Sequence, residues 1–269
     1  MNTIIVIPAR LASTRLPRKL LLKTTGKSVL QHTYERASLS KLADRVVVAC
    51  DHPDIEAEVK QFGGEVLMTR ADHVCGTDRV AEAAANFDAN LIVNVQGDEP
   101  EIEPAAIDLL IELLQNNENV PVATLATPIR SREDLDNPAC VKVVFDADGR
   151  ALYFSRSPIP HPRNWDPGLM DGSSPLLVEA DRGGELSREA TQGLTAAFWQ
   201  HIGLYGYRRD FLMDISSIPT ASVERIESLE QLRFLYAGHT MLVGKVEHSA
   251  AGIDTPDDYA AFVSRQKSC

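Results

Sequence analysis

The sequence predicts a mostly parallel, doubly wound α/β sheet with a smaller C-terminal subdomain. Three observations carry this. Short β-branched runs alternate with helical stretches from residue 1 to about 116, the pattern of successive βαβ units. The run at 91–95, Leu-Ile-Val-Asn-Val, is the kind of strand that is covered on both faces. It stops in Gln96-Gly97-Asp98-Glu99, and open α/β sheets bind ligands just beyond such strand ends.

The elements follow in order. Residues 3–7 read as the first strand, ending in Pro8-Ala9-Arg10. The stretch 11–19 holds Ser13, Thr14, Arg15, Pro17 and Lys19 and reads as a loop. Ser28 is an N-cap for a helix over 29–39. A strand at 45–49 ends at Cys50-Asp51, and Pro53 opens a helix to about residue 62. Gly63-Gly64 stops it, and 65–68 is a third strand. The polar loop 72–79 runs into a helix over 77–86. The organising strand at 91–95 is followed by a helix over 104–116.

Residues 122–127 and 141–145 are further strands, and Asp148-Gly149 signals a hairpin to a strand at 151–154. The stretch from Pro158 to about Thr195 is rich in Pro, Gly, Ser and charge and reads as loop or disorder. Residues 203–208 form a strand, with Tyr205 and Tyr207 in phase. Residues 224–236 read as one helix, with Ile226, Leu229, Leu232 and Phe234 or Leu235 at core spacing. A strand at 241–246 precedes Thr255-Pro256, an N-cap with proline at the first position of a last helix.

At 269 residues the chain forms one large domain or a domain with an appended subdomain. The nucleotide-binding half is placed at 1–130. The second half, 131–269, carries a long loop at 164–197. The formal charge of −11 argues against nucleic-acid or anionic-membrane partners, and no apolar run approaches a membrane span. The cysteines Cys50, Cys75, Cys140 and Cys269 are scattered, as in a reduced cytosolic protein. Before Glu35 there is no acid, yet Arg10, Arg15, Arg18, Lys19, Lys23 and Lys27 are present. A basic island on an acidic protein suits a small polyanion.

Arg10, Arg15 and Lys19 lie together after the first strand, where three cations could neutralise a triphosphate. The loop has neither dinucleotide-fingerprint nor P-loop spacing. Asp98 is a hard oxygen ligand suited to Mg²⁺. Gly76-Thr77 opens a helix whose amides favour an anion; Thr77 also reads as a simple N-cap. Asp254 reads either as a second metal carboxylate or as a turn residue. Cys75 lacks a partner for a nucleophile dyad and reads as packing or a backbone contact. His201 and Tyr205 share a strand face if the strand starts early enough.

Several motifs in order carry a resemblance: Pro8-Ala9-Arg10 with Ser13-Thr14-Arg15-Leu16-Pro17 and Lys19; Gly76-Thr77-Asp78-Arg79; Val95-Gln96-Gly97-Asp98-Glu99-Pro100; Tyr153-Phe154-Ser155-Arg156; His201-Ile202-Gly203-Leu204-Tyr205; Glu227-Ser228-Leu229-Glu230-Gln231; and Gly252-Ile253-Asp254-Thr255-Pro256. Together they resemble the 3-deoxy-manno-octulosonate (Kdo) cytidylyltransferases, also called CMP-Kdo synthetases, along nearly the whole chain. The resemblance implies the Rossmann-like nucleotide-diphospho-sugar transferase fold, a homodimer and Mg²⁺. It implies CTP and Kdo as substrates, with CMP-Kdo supplied to lipopolysaccharide synthesis in the cytoplasm. By position, Ala9, Arg10, Arg15, Lys19, Cys75, Gly76, Thr77 and Gln96 would serve the nucleotide, with Asp98, Arg15 and Lys19 catalytic. Asp98 and Asp254 would hold the metal. Arg79, Arg156, His201, Tyr205, Glu227 and Gln231 would line the sugar side, in a C-terminal half that also dimerises.

Three departures stand out: Arg18 and Leu20 around Lys19, Cys75 in place of serine, and the length of 164–197. The extra cation Arg18 either adds a phosphate contact or faces solvent. Two rivals remain open, a cytidylyltransferase for another acid sugar and a non-catalytic nucleotide-sugar-binding protein on the same fold.

Overall fold

The structure is a computed structural model, and it describes residues 1–73, 75–177 and 194–267. The first elements are β1 (Thr3–Ala9), α1 (Val29–Ala37), β2 (Arg45–Cys50), α2 (Pro53–Gln61), β3 (Val66–Met68), α3 (Gly76–Ala84), β4 (Leu91–Asn94) and α4 (Pro104–Asn116). Then come β5 (Val122–Pro128), α5 (Arg132–Asp136), β6 (Lys142–Phe145), β7 (Ala151–Ser155), α6 (Gly168–Asp171) and β8 (Trp199–Arg208). The last are α7 (Arg209–Asp214), α8 (Ser222–Glu227), α9 (Leu232–Tyr236), β9 (Met241–Lys245) and α10 (Pro256–Lys267). The fold is the mostly parallel α/β class that the alternating sequence predicts.

The chain forms two compact units: Met1–Ile111 with Leu204–Met213 and Ala250–Cys269, and Glu112–Gly203 with Asp214–Ser249. The expected division near residue 130 is therefore replaced by an interleaved one. The second half of β8 and all of α10 return to the first unit, because long-range pairing recruits them.

In the first unit β1 lies between β2 and β4, parallel to both, with Ile5 opposite Val46 and Val93. β3 extends the parallel order beside β2. β8 closes it antiparallel to β4, with Tyr207 opposite Ile92. Ile5, Val6, Ile7, Val47, Val48 and Val93 are buried, as strands covered on both faces must be. Ser28 caps α1 by accepting from the Gln31 amide at 3.1 Å. Thr255 and Asp258 cap α10 reciprocally at 3.2 and 2.8 Å, a capping box that satisfies donors no helical carbonyl reaches.

In the second unit β5 and β9 are parallel, with Thr124 opposite Val243. β6 and β7 form the expected hairpin. Gly149 turns it at φ +78°, a left-handed value that glycine adopts freely. Ile129, Leu135, Cys140, Leu169, Leu177 and Phe198 make one buried cluster. Within the expected loop 164–197, α6 and the 3₁₀ turn Pro175–Leu177 are thus packed structure, while 178–193 lie outside the described residues.

The single helix expected over 224–236 is two helices. Ser228 stands between them at φ +53°, a left-handed residue that ends α8. Glu224 accepts from the Ala221 amide at 3.1 Å and from Arg233 at 3.0 Å, pinning the corner. Leu229, Leu232 and Phe234 are buried as expected, but Ile226 is 81% exposed. The apolar period of the sequence runs on through Ser228, whose left-handed backbone breaks the helix.

Candidate active site

Strand ends in the first unit bring the basic loop, Asp51 and the Gln96–Asp98 turn together. Gly97 is where β4 leaves the sheet. A Cβ there would stand 3.1 Å from the Pro8 carbonyl oxygen, so any other residue would push the turn a few tenths of an ångström off β1. Thr33 donates from Oγ1 to the Gly97 carbonyl at 3.0 Å and holds it. The Ile253 amide donates to the Asp98 carbonyl at 2.9 Å. That backbone bond carries Asp254 to the same place.

Lys19 is the centre of the resulting cluster. Its Nζ donates to Asp98 Oδ2 at 2.5 Å and to Asp254 Oδ1 at 2.8 Å. Arg15 pairs with the other Asp254 oxygen at 2.8 Å. Burial works against the Lys19 charge, but the hydrogen bonds to Asp254 and Asp98 outweigh it and raise its pKa. Asp98 and Asp254, expected as metal carboxylates, converge here on Lys19, and Asp254 also on Arg15. Arg18, with left-handed backbone at φ +55°, turns out of it and pairs with exposed Asp54 at 2.6 Å. Leu20 is buried and anchors the 3₁₀ turn Lys19–Leu21.

The nucleotide-side residues divide by what they offer. Ala9 is fully buried as the last residue of β1, so it offers no side-chain contact. Arg10 Nη2 is buried without a hydrogen-bond partner, which leaves a donor for a ligand to satisfy. Gly76 and Thr77 begin α3, with Thr77 buried in its first turn. Its cap is not Thr77 but Cys75, whose sulfur accepts from the Asp78 amide at 3.4 Å. This is the backbone contact anticipated for Cys75, made by a weak acceptor. Gln96 is half-buried beside Gly97.

Two of the residues expected on the sugar side are engaged within the protein. Arg79 is completely buried. It bonds Thr69 Oγ1 at 2.5 Å and Asp51 Oδ2 at 3.1 Å, while Asp51 also accepts from the Leu11 amide at 3.1 Å. Arg79 therefore braces the base of the basic loop, while its Nε is buried without a hydrogen-bond partner. Arg156 is half-buried, and its guanidinium donates to the Glu227, Pro138 and Ser228 carbonyls at 2.7, 2.9 and 3.3 Å. These bonds spend it on the α8–α9 corner.

The same corner presents Glu227 and Gln231 in the second unit. The Glu227 carboxylate accepts from Ser155 Oγ at 2.7 Å and from the Arg156 amide at 3.0 Å. Gln231 is buried, and its Nε2 lacks a hydrogen-bond partner. His201 has other neighbours: Thr124 Oγ1 at 3.1 Å from Nε2, and the Phe154 ring edge-on at 5.0 Å. Desolvation pushes its pKa down to about 3, so the imidazole is neutral. β8 starts at Trp199, early enough for His201 and Tyr205 to fall on one strand.

Sequence reasoning passed over Glu99. Burial and the adjacent Asp98 charge push its carboxyl up to about 8, and its Oε2 is buried without a partner. The signal was its place directly after Asp98, where two carboxylates cannot ionise as easily as one.

Known proteins match this chain throughout. A cytidylyltransferase family model covers residues 4–243. The 3-deoxy-manno-octulosonate cytidylyltransferase of Rhodopirellula baltica is 48% identical over the full length of both chains. That of Geobacter sulfurreducens is 44% identical over 99% of this chain and 100% of its own. The structure of a CMP:2-keto-3-deoxy-manno-octonic acid synthetase complexed with CTP superposes with a TM-score of 0.85 at 38% identity, covering 100% of this chain and 99% of the other. A 4-diphosphocytidyl-2C-methyl-D-erythritol synthase from Anaerococcus prevotii, at 14% identity and TM-score 0.60 over 99% of both chains, shares the fold. On these matches, and on the charge network they accompany, the chain belongs to the cytidylyltransferase family, among its 3-deoxy-manno-octulosonate cytidylyltransferases.

Proposed function

We propose that the protein activates Kdo with CTP, forming CMP-Kdo and pyrophosphate. The observation that carries this is Lys19 held between Asp98 and Asp254, with Arg15 on the second carboxylate. Two carboxylates and two cations at one strand end suit a metal-bound triphosphate. Their fit to Mg²⁺ rests on hard oxygen donors already converged on one positive charge. No cluster of three or more such ligands occurs among the described residues, so phosphates and water would complete the shell. When bound, the ion neutralises phosphate charge facing the nucleophile.

The protein's own groups do the rest. Arg10 supplies an unsatisfied donor to the nucleotide, and the start of α3 supplies backbone amides. Arg15 and Lys19 offset the charge that develops on departing pyrophosphate. The anomeric hydroxyl of Kdo attacks the α-phosphorus in line as the bond to the β-phosphate oxygen breaks. Glu227, Gln231, His201 and Tyr205 serve the sugar; neutral His201 can accept or donate one hydrogen bond.

The product would feed lipopolysaccharide synthesis in the cytoplasm. No described helix is long and apolar enough to cross a membrane. A homodimer is part of the reading: among the described residues β7 pairs with β6 in the sheet, and it exposes Leu152 and Tyr153, apolar side chains that a second copy could cover.

The test is pyrophosphate release from CTP, Mg²⁺ and Kdo, run beside Asp98→Ala. Kdo-dependent release that collapses in the variant supports the reading. Release only with another acid sugar would move the specificity, and tight CTP binding without release would favour a binding protein.

A further inference from the structure

Lys142 is a fully buried ammonium in the second unit. Its side chain leaves β6 directly opposite Ser155 of β7, so both emerge on one face of the hairpin. Nζ donates to the Asn137 carbonyl at 2.8 Å and to the Arg156 carbonyl at 3.0 Å. Ser155 and Arg156 are the residues whose hydroxyl and amide hold the two Glu227 carboxylate oxygens. The Arg156 guanidinium binds the Pro138 carbonyl on one side and those of Glu227 and Ser228 on the other. Lys142 therefore fixes both the 137–138 loop and the strand end from which Glu227 is held. Burying a charge is costly, and desolvation lowers the Lys142 pKa. An apolar side chain would fill the site without that cost, but it could not tether two carbonyls.

We infer that Lys142 is a positioning residue for the Glu227 carboxylate, setting the sugar affinity of the enzyme without touching the sugar. This rests on the reading of Glu227 as a sugar ligand. The experiment is steady-state kinetics of Lys142→Met, Glu227→Gln and the double variant, with KM measured separately for Kdo and CTP. Losing a charge-assisted tether should raise the Kdo KM about tenfold and leave the CTP KM unchanged. In the Glu227→Gln background the same change should add little, because the two act through one carboxylate. Equal effects in both backgrounds, or an unchanged Kdo KM in Lys142→Met, would overturn the proposal alone. An unchanged Kdo KM in Glu227→Gln would remove the sugar role of Glu227, and the proposal with it. Should the methionine variant fail to fold, Lys142→Gln keeps an N–H donor without the charge. A raised Kdo KM there supports the assignment, and an unchanged one overturns it.

Discussion

The Ile253 amide donates to the Asp98 carbonyl at 2.9 Å, and this single backbone bond sets the loop before α10 beside the end of β4. Asp254 then reaches Lys19 from one side while Asp98 reaches it from the other. The site is thus built by main chain first and charge second. Its side chains can be replaced without dismantling the scaffold.

Lys19→Met should accordingly fold and fail. Losing one preorganised cation should lower kcat by about two orders of magnitude, roughly 3 kcal/mol of transition-state stabilisation. Pyrophosphate release measures the rate, and circular dichroism checks the fold. A rate within threefold of the parent would remove Lys19 from the catalytic machinery.

Chelation should act at the same place. EDTA is expected to abolish pyrophosphate release, and added Mg²⁺ to restore it. In Asp254→Asn, one of the two carboxylate charges is gone, so half-maximal activity should need more Mg²⁺. A Mg²⁺ titration of both proteins measures this.

Arg79→Met is a stability variant. It leaves Asp51, half-buried beside the basic loop, without its guanidinium partner; breaking a fully buried pair costs about 3–5 kcal/mol, and the solvent and Leu11 amide left to Asp51 put this loss at or below the lower end. Urea unfolding should show the midpoint falling with the m-value unchanged. An unaltered midpoint with a raised Kdo KM would return Arg79 to the sugar side.

His201 makes stability depend on pH in a defined direction. Its folded pKa, about 3, lies below the ordinary value of 6.5, so the unfolded chain takes up the proton first. Stability is full above pH 6.5 and falls as the pH drops toward 3, by up to about 1.4 kcal/mol per unit. Thermal unfolding between pH 7 and 4 should be flatter for His201→Gln than for the parent. Parallel curves would mean that the imidazole is not desolvated.

Local signals were the legible part of the sequence. The β1 to β4 alternation, the Ser28 cap, the Thr255 cap and the Asp148-Gly149 hairpin each depend on residues close in the chain, and each is present. So was the meeting of the basic loop with Asp98, because strand ends in a parallel sheet converge. What depends on distant partners was not legible. Nothing in residues 76–84 says that Arg79 points inward to Asp51 and not outward to a ligand. The break at Ser228 needs the Glu224–Arg233 pair to hold its corner. The run of β8 back along β4 is a pairing between segments that share no local pattern.

The order of synthesis gives that interleaving a consequence. Residue 254 leaves the ribosome after every residue of the second unit, because that unit ends at Ser249. A nascent chain already displaying Arg15, Lys19 and Asp98 still lacks the acid that completes their charge network. Contacts this far apart in sequence form late and slowly. Competence to handle nucleotide therefore arrives only after the intervening unit has been made.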